Sequence, residues 1–426
     1  MLRTNFRSIR SLSSCQVSRG WNTIPLAPPD KILGITEAFN KDNNAKKISL
    51  GVGAYRDNDG KPVIFPSVKK AEEKLLGLEK EKEYTAINGS KNFQSSLKKF
   101  IFNNEGKDPN GQKLIDQDQI VTCQSISGTG SLRLIGEFLN KFYDSKTILV
   151  PQPTWSNHLS VFKESGLTTK FYTYYDVSKN GLNFDGLIND LKAAKDDVVL
   201  LHACCHNPTG MDLSSEQWDQ VLDVVEKNGL YPVIDMAYMG FSSGKPDQDI
   251  EVIRKLNKRV VDGSLSGYSL CQSFAKNMGL YGERVGSINI VTDSKDSALA
   301  IESQLKAIVR SIYSSPPIHG SKIVELILND ESLYNSWKSD LDSIVGRLNK
   351  VRQELYDRLD KSKNWDHLLQ QRGMFVYTGL TKDQVLKLRL DYSIYCTEDG
   401  RFSISGINDA NVDYLADAIN KVVKET

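Results

Sequence analysis

No stretch of this 426-residue chain approaches the roughly 18 consecutive apolar residues of a bilayer-spanning helix, so a membrane-spanning reading fails. Net charge is nearly missing as well. With 54 basic against 53 acidic residues, the chain has no broad field to draw nucleic acid or an acidic membrane surface. Cysteine is scarce: Cys15, Cys123, Cys204, Cys205, Cys271 and Cys396 form no C-x-x-C pair and no Cys/His cluster at zinc spacing. That pattern fits reduced thiols in a non-secreted protein, and no bound metal is expected. Internal repeats at solenoid periods are missing. So are the G-x-G-x-x-G fingerprint and the Walker A loop, which turns the reading away from a dinucleotide-dependent oxidoreductase. What is present is an ordinary globular composition, 39% hydrophobic and 25% charged, in a chain long enough for two or three domains.

Acidic residues and lysine are absent from residues 1–29, which hold four arginines (Arg3, Arg7, Arg10, Arg19) and five serines. Without them the remainder has 50 basic against 53 acidic residues, a net charge of about −3. On a helical wheel Leu2, Phe6 and Ile9 share one face and Arg3, Arg7 and Arg10 the next. An amphipathic, Arg- and Ser-rich, acid-free start is the pattern of a mitochondrial transit peptide, which points to the mitochondrial matrix. The alternative is a disordered basic tail.

The middle of the chain alternates strands with amphipathic helices. Ile120–Ser125 reads as a strand that turns through Ser127-Gly-Thr-Gly130 into a helix with Leu132, Ile135, Leu139 and Phe142 near one face. Asp197–Leu201 is a continuous apolar run, as in a strand buried on both faces. Asn207–Gly210 follows as a loop, and Ser214 with Gln217 has capping-box spacing ahead of Trp218, Val221, Leu222 and Val225. Gly229 ends that helix. Tyr231–Asp235, Tyr268–Cys271 and Val285–Val291 read as further strands. This order predicts an α/β fold whose large domain, residues 63–343, holds a mainly parallel sheet sandwiched by helices. Residues from about 344 onward carry a long polar-periodic helix, short strands near Met374–Thr378 and Phe402–Ile404, and a final helix. Together with residues 30–62 they form a smaller α+β domain, residues 1–29 being transit peptide and N-terminal arm.

Open α/β sheets bind ligands at the carboxyl ends of their strands. Three candidates lie at such ends. Ser127-Gly128-Thr129 would offer free N–H groups at a helix start, suited to a phosphate. Asp235 closes a buried strand, where a carboxylate is either a structural cap or a partner for a cation. Lys276 follows another strand. Taken singly, each also reads as a small-residue turn, a cap, or a solvated surface lysine. Together they fit pyridoxal phosphate, with phosphate in the cradle, Asp235 on the pyridinium nitrogen and Lys276 on the aldehyde.

From about Pro28 to its C-terminus the chain resembles the aspartate aminotransferases, fold-type I pyridoxal-phosphate enzymes. Seven segments carry the resemblance: Gly51–Arg56, Ser127–Gly130, Pro153-Thr-Trp155 with His158, His202–Gly210, Asp235–Tyr238, Ser273–Arg284, and Arg310 ahead of Ser315-Pro-Pro317. The resemblance implies that Lys276 carries the cofactor as an aldimine and serves as proton-transfer base in a ping-pong exchange of L-aspartate and 2-oxoglutarate. It implies Asp235 on the ring nitrogen with His158 behind it, and Trp155 on the ring face. Tyr238 and Asn207 are implied on the ring oxygen, with Ser127, Gly128, Thr129, Ser273 and Arg284 on the phosphate. Arg401 matches the clamp for the substrate α-carboxylate and Arg310 the one for the side-chain carboxylate, while Val52, Gly53 and Phe375 match pocket-lining positions. Tyr84 and Arg310 reach the neighbouring subunit's site in this family, which implies a homodimer with shared sites. Cys205 stands where the family more often has alanine. Two rivals are an aminotransferase preferring aromatic amino acids and a catalytically silent binding protein on the same fold.

Overall fold

The computed structural model describes residues 21, 24–27, 33–78 and 81–425; the arginine-bearing stretch read as a transit peptide lies outside the described residues. Seven strands form the central sheet: β1 (Ile120–Ile126), β2 (Thr147–Gln152), β3 (Thr168–Thr173), β4 (Val198–His202), β5 (Tyr231–Met236), β6 (Gly267–Ser273) and β7 (Val285–Thr292). Their spatial order is β1-β7-β6-β5-β4-β2-β3. Strands β3, β2, β4, β5 and β6 pair in parallel, whereas β7 runs antiparallel to both β6 and β1. The strand-helix alternation in the sequence did not reveal this reversal. Residues 274–284 between β6 and β7 hold no helix, so the chain lacks the crossover a parallel return needs and doubles back.

The sheet is buried on both faces. Along β4, Val198 and Leu200 enter one apolar cluster while Val199 and Leu201 enter the other. Helix α1 (Ser127–Phe142) covers the first face with Leu132, Ile135 and Leu139, together with Leu305, Ile308 and Val309 of α2 (Lys295–Ile312). Phe142, placed on the same stripe by its spacing, sits half-exposed at the last residue of α1. The opposite face receives Trp218, Val221, Leu222 and Val225 of the helix Ser215–Lys227. Its capping box is formed as the sequence predicts: Ser214 and Gln217 each accept from the other's backbone N–H, and Gly229 follows the helix with φ +64°.

The long helix near residue 344 begins earlier than its polar periodicity suggests. It is α3 (Glu331–Arg358), started by Asp330, whose carboxylate accepts from the Leu333 N–H at 3.1 Å. Leu333, Trp337, Leu341, Ile344, Leu348, Val351 and Leu355 form its buried stripe, continuous through the division expected at 343/344. Trp337 Nε1 donates to the Asn277 carbonyl at 2.6 Å, which fastens α3 to the loop carrying Lys276. Near the C-terminus, Phe375–Tyr377 pairs antiparallel with Arg401–Ser403, and Ile48–Ser49 runs parallel to Ile394–Tyr395. Ser403 N donates to Leu50 O at 2.7 Å, so an early segment is built into the C-terminal layer.

Gly286 of β7 sits where the sheet meets the start of α1. A Cβ there would stand 2.4 Å from Gln272 O and 2.8 Å from Ser127 backbone atoms, none of which can yield without moving the sheet. Gly286→Ala should therefore cost about 1–3 kcal/mol. Urea unfolding midpoints measure this; an unchanged midpoint would show the contact to be slack.

Candidate active site

The carboxyl ends of β4, β5 and β6 and the start of α1 converge on one cavity of about 270 Å³. Its walls include Gly53, Ser127, Gly128, Thr129, Trp155, Asn207, Asp235, Tyr238, Lys276, Arg284, Phe375 and Arg401. All twelve were picked out by the sequence. The cavity draws on segments from Gly53 to Arg401, so only the folded chain brings them together. Val52 remains outside the lining, as does Ser273, which is buried behind it.

At one end α1 starts directly from β1 with no intervening loop. The residue before it, Ile126, offers no side-chain cap, and Ser127 opens the helix with φ +64°. The first N–H groups of a sixteen-residue helix thus lack the usual side-chain acceptor beside a cavity, with the positive end of the helix dipole behind them. Ser127 and Ser273 hydroxyls are 2.9 Å apart, which ties this start to the end of β6. A Cβ at Gly128 would lie 3.3 Å from Ser273 Cβ, so a larger residue would crowd that junction. Arg284 lines the same end, exposed on the single chain, with one nitrogen donating to Tyr281 O at 3.2 Å. This end is built for an anion.

At the other end lies Asp235, 7% exposed, with Oδ2 3.1 Å from His158 Nε2. A carboxylate can only accept, so Nε2 carries a proton, while Nδ1 shares a 2.8 Å hydrogen bond with the Thr154 hydroxyl. Burial pushes the Asp235 carboxyl upward. The His158 hydrogen bond and neighbouring positive charge, Lys276 included, outweigh that and hold it below its ordinary range. His158, His202 and Asp235 bring three potential ligand atoms within 4.8 Å, two of which the His158–Asp235 bond engages.

Lys276 lines the same cavity, its Nζ 5.0 Å from the centre of the Tyr238 ring. Burial lowers its pKa, Asp235 opposes that and Arg284 adds to it, so the amine is more readily neutral than a surface lysine. Tyr238 is buried, which raises its phenol although Arg401 pulls the other way. Arg401 is 4% exposed and, among the described residues, makes no side-chain hydrogen bond to a carboxylate. It donates to Gly51 O at 3.0 Å and Asn207 Oδ1 at 3.3 Å, lies 4.3 Å over the Phe375 ring, and leaves its Nε without a partner. A buried guanidinium so under-used is a ready site for a carboxylate.

Two residues singled out by the sequence are elsewhere. Tyr84 is 85% exposed, and Arg310, exposed near the end of α2, hydrogen-bonds Ser314; neither lines this cavity. Leu132, His202, Cys204 and Ala237 line it without having been assigned a place. The signal for His202 and Cys204 was available, since both lie in the His202–Gly210 segment. Behind them His206 stacks on Tyr174 with ring centres 3.9 Å apart.

The model of the family described as "Aminotransferase class I and II" matches residues 45–419. The chain is 46% identical over 402 residues to a cytoplasmic aspartate aminotransferase of Oryza sativa subsp. japonica, covering 93% of this chain and 96% of that one. It is 43% identical over 409 residues to a mitochondrial aspartate aminotransferase of Dictyostelium discoideum, with 95% and 93% covered. Among solved structures, the aspartate aminotransferase from Saccharomyces cerevisiae cytoplasm superposes with a TM-score of 0.89 at 38% identity, covering 95% of this chain and 98% of that one. An aromatic-amino-acid aminotransferase from Burkholderia pseudomallei, covalently bound to pyridoxal phosphate, superposes at 0.88 with 37% identity, covering 94% and 98%.

The buried histidines make the fold acid-sensitive. Burial pulls His202 down to about 3 and His206 well below its ordinary value, so both are neutral in the native state. In the unfolded chain they take up protons below about pH 6.5, and stability is lost as pH falls from there towards 3. His202→Gln should flatten that loss by about 1.4 kcal/mol per pH unit well below pH 6.5. Urea unfolding at pH 7 and pH 5 checks it; parallel losses in both proteins would refute a buried neutral His202.

Proposed function

The chain belongs to the class I and II aminotransferases, and we propose from that premise that it is an aspartate aminotransferase. It transfers the amino group of L-aspartate to 2-oxoglutarate, reversibly, giving oxaloacetate and L-glutamate. One arrangement carries the reading: an uncapped helix start, a lysine and a buried carboxylate lining one cavity, with a buried arginine whose Nε has no partner among the described residues.

The residues present fit pyridoxal phosphate. Its phosphate suits the uncapped start of α1, with Ser127, Gly128, Thr129, Ser273 and Arg284 as its holders. Its pyridinium N–H supplies the positive partner that a buried, ionised Asp235 calls for, and His158 keeps that carboxylate in place. Trp155 is suited to the ring face, Tyr238 and Asn207 to the ring oxygen. When bound, this cofactor supplies a carbon that joins covalently to amines and a ring that takes up the electron pair left at Cα.

The chain's own groups do the rest. Lys276 would hold the cofactor through its Nζ, and the same Nζ would be the base that takes and returns the proton at the substrate Cα. An amine whose proton affinity burial lowers suits that role. Arg401 grips the α-carboxylate, and with Gly53 and Phe375 beside it this fixes which Cα bond faces Lys276.

A dicarboxylic substrate needs a second cation, and among the lining residues only the cations Arg284 and Lys276 remain, both assigned above to the cofactor. We therefore assign the side-chain carboxylate to Arg310, and further phosphate binding to Tyr84, each acting on the cavity of a neighbouring copy in a homodimer. Their exposure on the single chain supports this. The mitochondrial matrix is the compartment we assign, on the acid-free arginine-rich first 29 residues. Two lobes, 63–343 and 30–62 with 344–426, are supported by the pairing of residues 48–50 with the C-terminal layer.

An absorption spectrum of purified protein before and after L-aspartate tests the function. A visible band giving way to a near-ultraviolet one is the expected result. A band unmoved by aspartate but bleached by phenylalanine would replace the substrate, and no band after cofactor is supplied would remove the activity. Lys276→Ala should lower turnover by about 10²–10⁴-fold; near-normal turnover would exclude Lys276 as the base.

A further inference from the structure

We propose that His158, His202 and Asp235 form a binding site for a divalent transition-metal ion such as zinc, which competes with the cofactor ring for Asp235. Sheet register brings the three residues together. His202 closes β4 and lies opposite Asp235 of β5 in a parallel pair, so their side chains share a face of the sheet. It is the face on which Leu200 and Val233, two residues earlier on each strand, join the apolar cluster covered by α1. His158, in the first turn of the helix Asn157–Glu164, packs onto the same face and is fully buried. Its ring centre is 5.3 Å from that of His202, and the two rings are nearly perpendicular. One potential ligand atom from each of the three residues then lies within 4.8 Å of the other two.

The donor set suits zinc. Two imidazoles and a carboxylate give three ligands at about 2.0–2.2 Å, and the fourth tetrahedral position takes water from the cavity that His202 and Asp235 line. At such bond lengths tetrahedral ligand atoms stand about 3.3 Å apart. His158 Nε2 and Asp235 Oδ2 are already 3.1 Å apart, so the His202 atom has to close by at most about 1.5 Å. His202 Nε2 is buried without a hydrogen-bond partner among the described residues, so no bond at that atom opposes the move. Thr154 supplies the outer contact. When the metal takes His158 Nε2, the ring proton passes to Nδ1, which donates it to the Thr154 hydroxyl across the existing 2.8 Å bond. Lys276, Arg284 and Arg401 line the same cavity and repel cations. Hard ions held by oxygen charge alone, such as magnesium, are refused there, whereas bonds to imidazole nitrogen retain zinc. The cofactor's pyridinium N–H and the metal call on the same carboxylate, so one excludes the other. The competition rests on the cofactor reading above; the metal site does not.

The test uses the full chain freed of cofactor, with cobalt(II) as the visible probe and zinc affinity measured by equilibrium dialysis. A tetrahedral cobalt spectrum is expected, without a thiolate charge-transfer band even though Cys204 lines the same cavity. Magnesium in excess should not displace the cobalt. His202→Gln should weaken zinc at least about 100-fold and still take up pyridoxal phosphate. If that variant fails to fold, Thr154→Val is read instead, with an expected weakening of about 10–100-fold. No bound ion, a thiolate band, or unchanged zinc affinity in the folded variant would overturn the site. Pyridoxal phosphate added first should keep cobalt out, and cobalt added first should slow the growth of the visible cofactor band. Independent occupancy by both would overturn the competition. Cobalt bound by a chain that never takes up pyridoxal phosphate would sink the functional reading and leave the metal site standing.

Discussion

A carboxylate kept ionised at the dry end of a β-strand is the constraint around which this molecule is arranged. Removing a carboxylate from water costs several kcal/mol unless hydrogen bonds and opposite charge offset it. Asp235 meets that cost with His158, which is oriented in turn by Thr154, and with Lys276 nearby. Each of these comes from a different sheet connection. The segment after β2 supplies Thr154 and His158, β5 supplies Asp235, and the turn after β6 supplies Lys276. The carboxylate can stay charged only where those ends meet, and that meeting place is the cavity.

The reversal of β7 serves the opposite end of the same cavity. Lying between β6 and β1 and pairing antiparallel with both, β7 fixes their ends on either side of it, where the Ser127 and Ser273 hydroxyls meet. Gly286 stands under that junction because no side chain fits between Gln272 O and the Ser127 backbone. The strained start of α1 is therefore held by sheet packing, and its N–H groups are left for an anion. The Trp337–Asn277 bond performs a similar service from below, joining the longest helix to the lysine-bearing loop.

Local patterns were legible wherever a short segment settles its own structure. The Ser214–Gln217 capping box, the Gly229 stop and the buried run of β4 all appear where the residues predict them. The start of α3 was read too late because Asp330, a cap acting through one hydrogen bond, lies ahead of the polar-periodic stretch. Phe142 was placed on the buried stripe by spacing alone, yet a helix's last residue overhangs the sheet. The direction of β7 left no trace in its own apolar residues, since a strand buried on both faces looks the same whichever way it runs.

The sequence itself marked Lys276, Asp235 and the Ser127 start as candidates, because each closes or follows a strand-like run, while Arg401, Asn207 and Gly53 were singled out through the family resemblance. Their meeting was decided only by tertiary structure, since Gly53, Asn207 and Arg401 lie far apart in the chain and close only through sheet order and the C-terminal layer. The folded chain also decided the environment of each group. Burial depends on what packs from elsewhere, so it could make Lys276 a weaker base than its type and leave the Arg401 Nε without a partner among the described residues. None of that is written in the neighbouring letters, because desolvation and proximity are properties of the assembled volume.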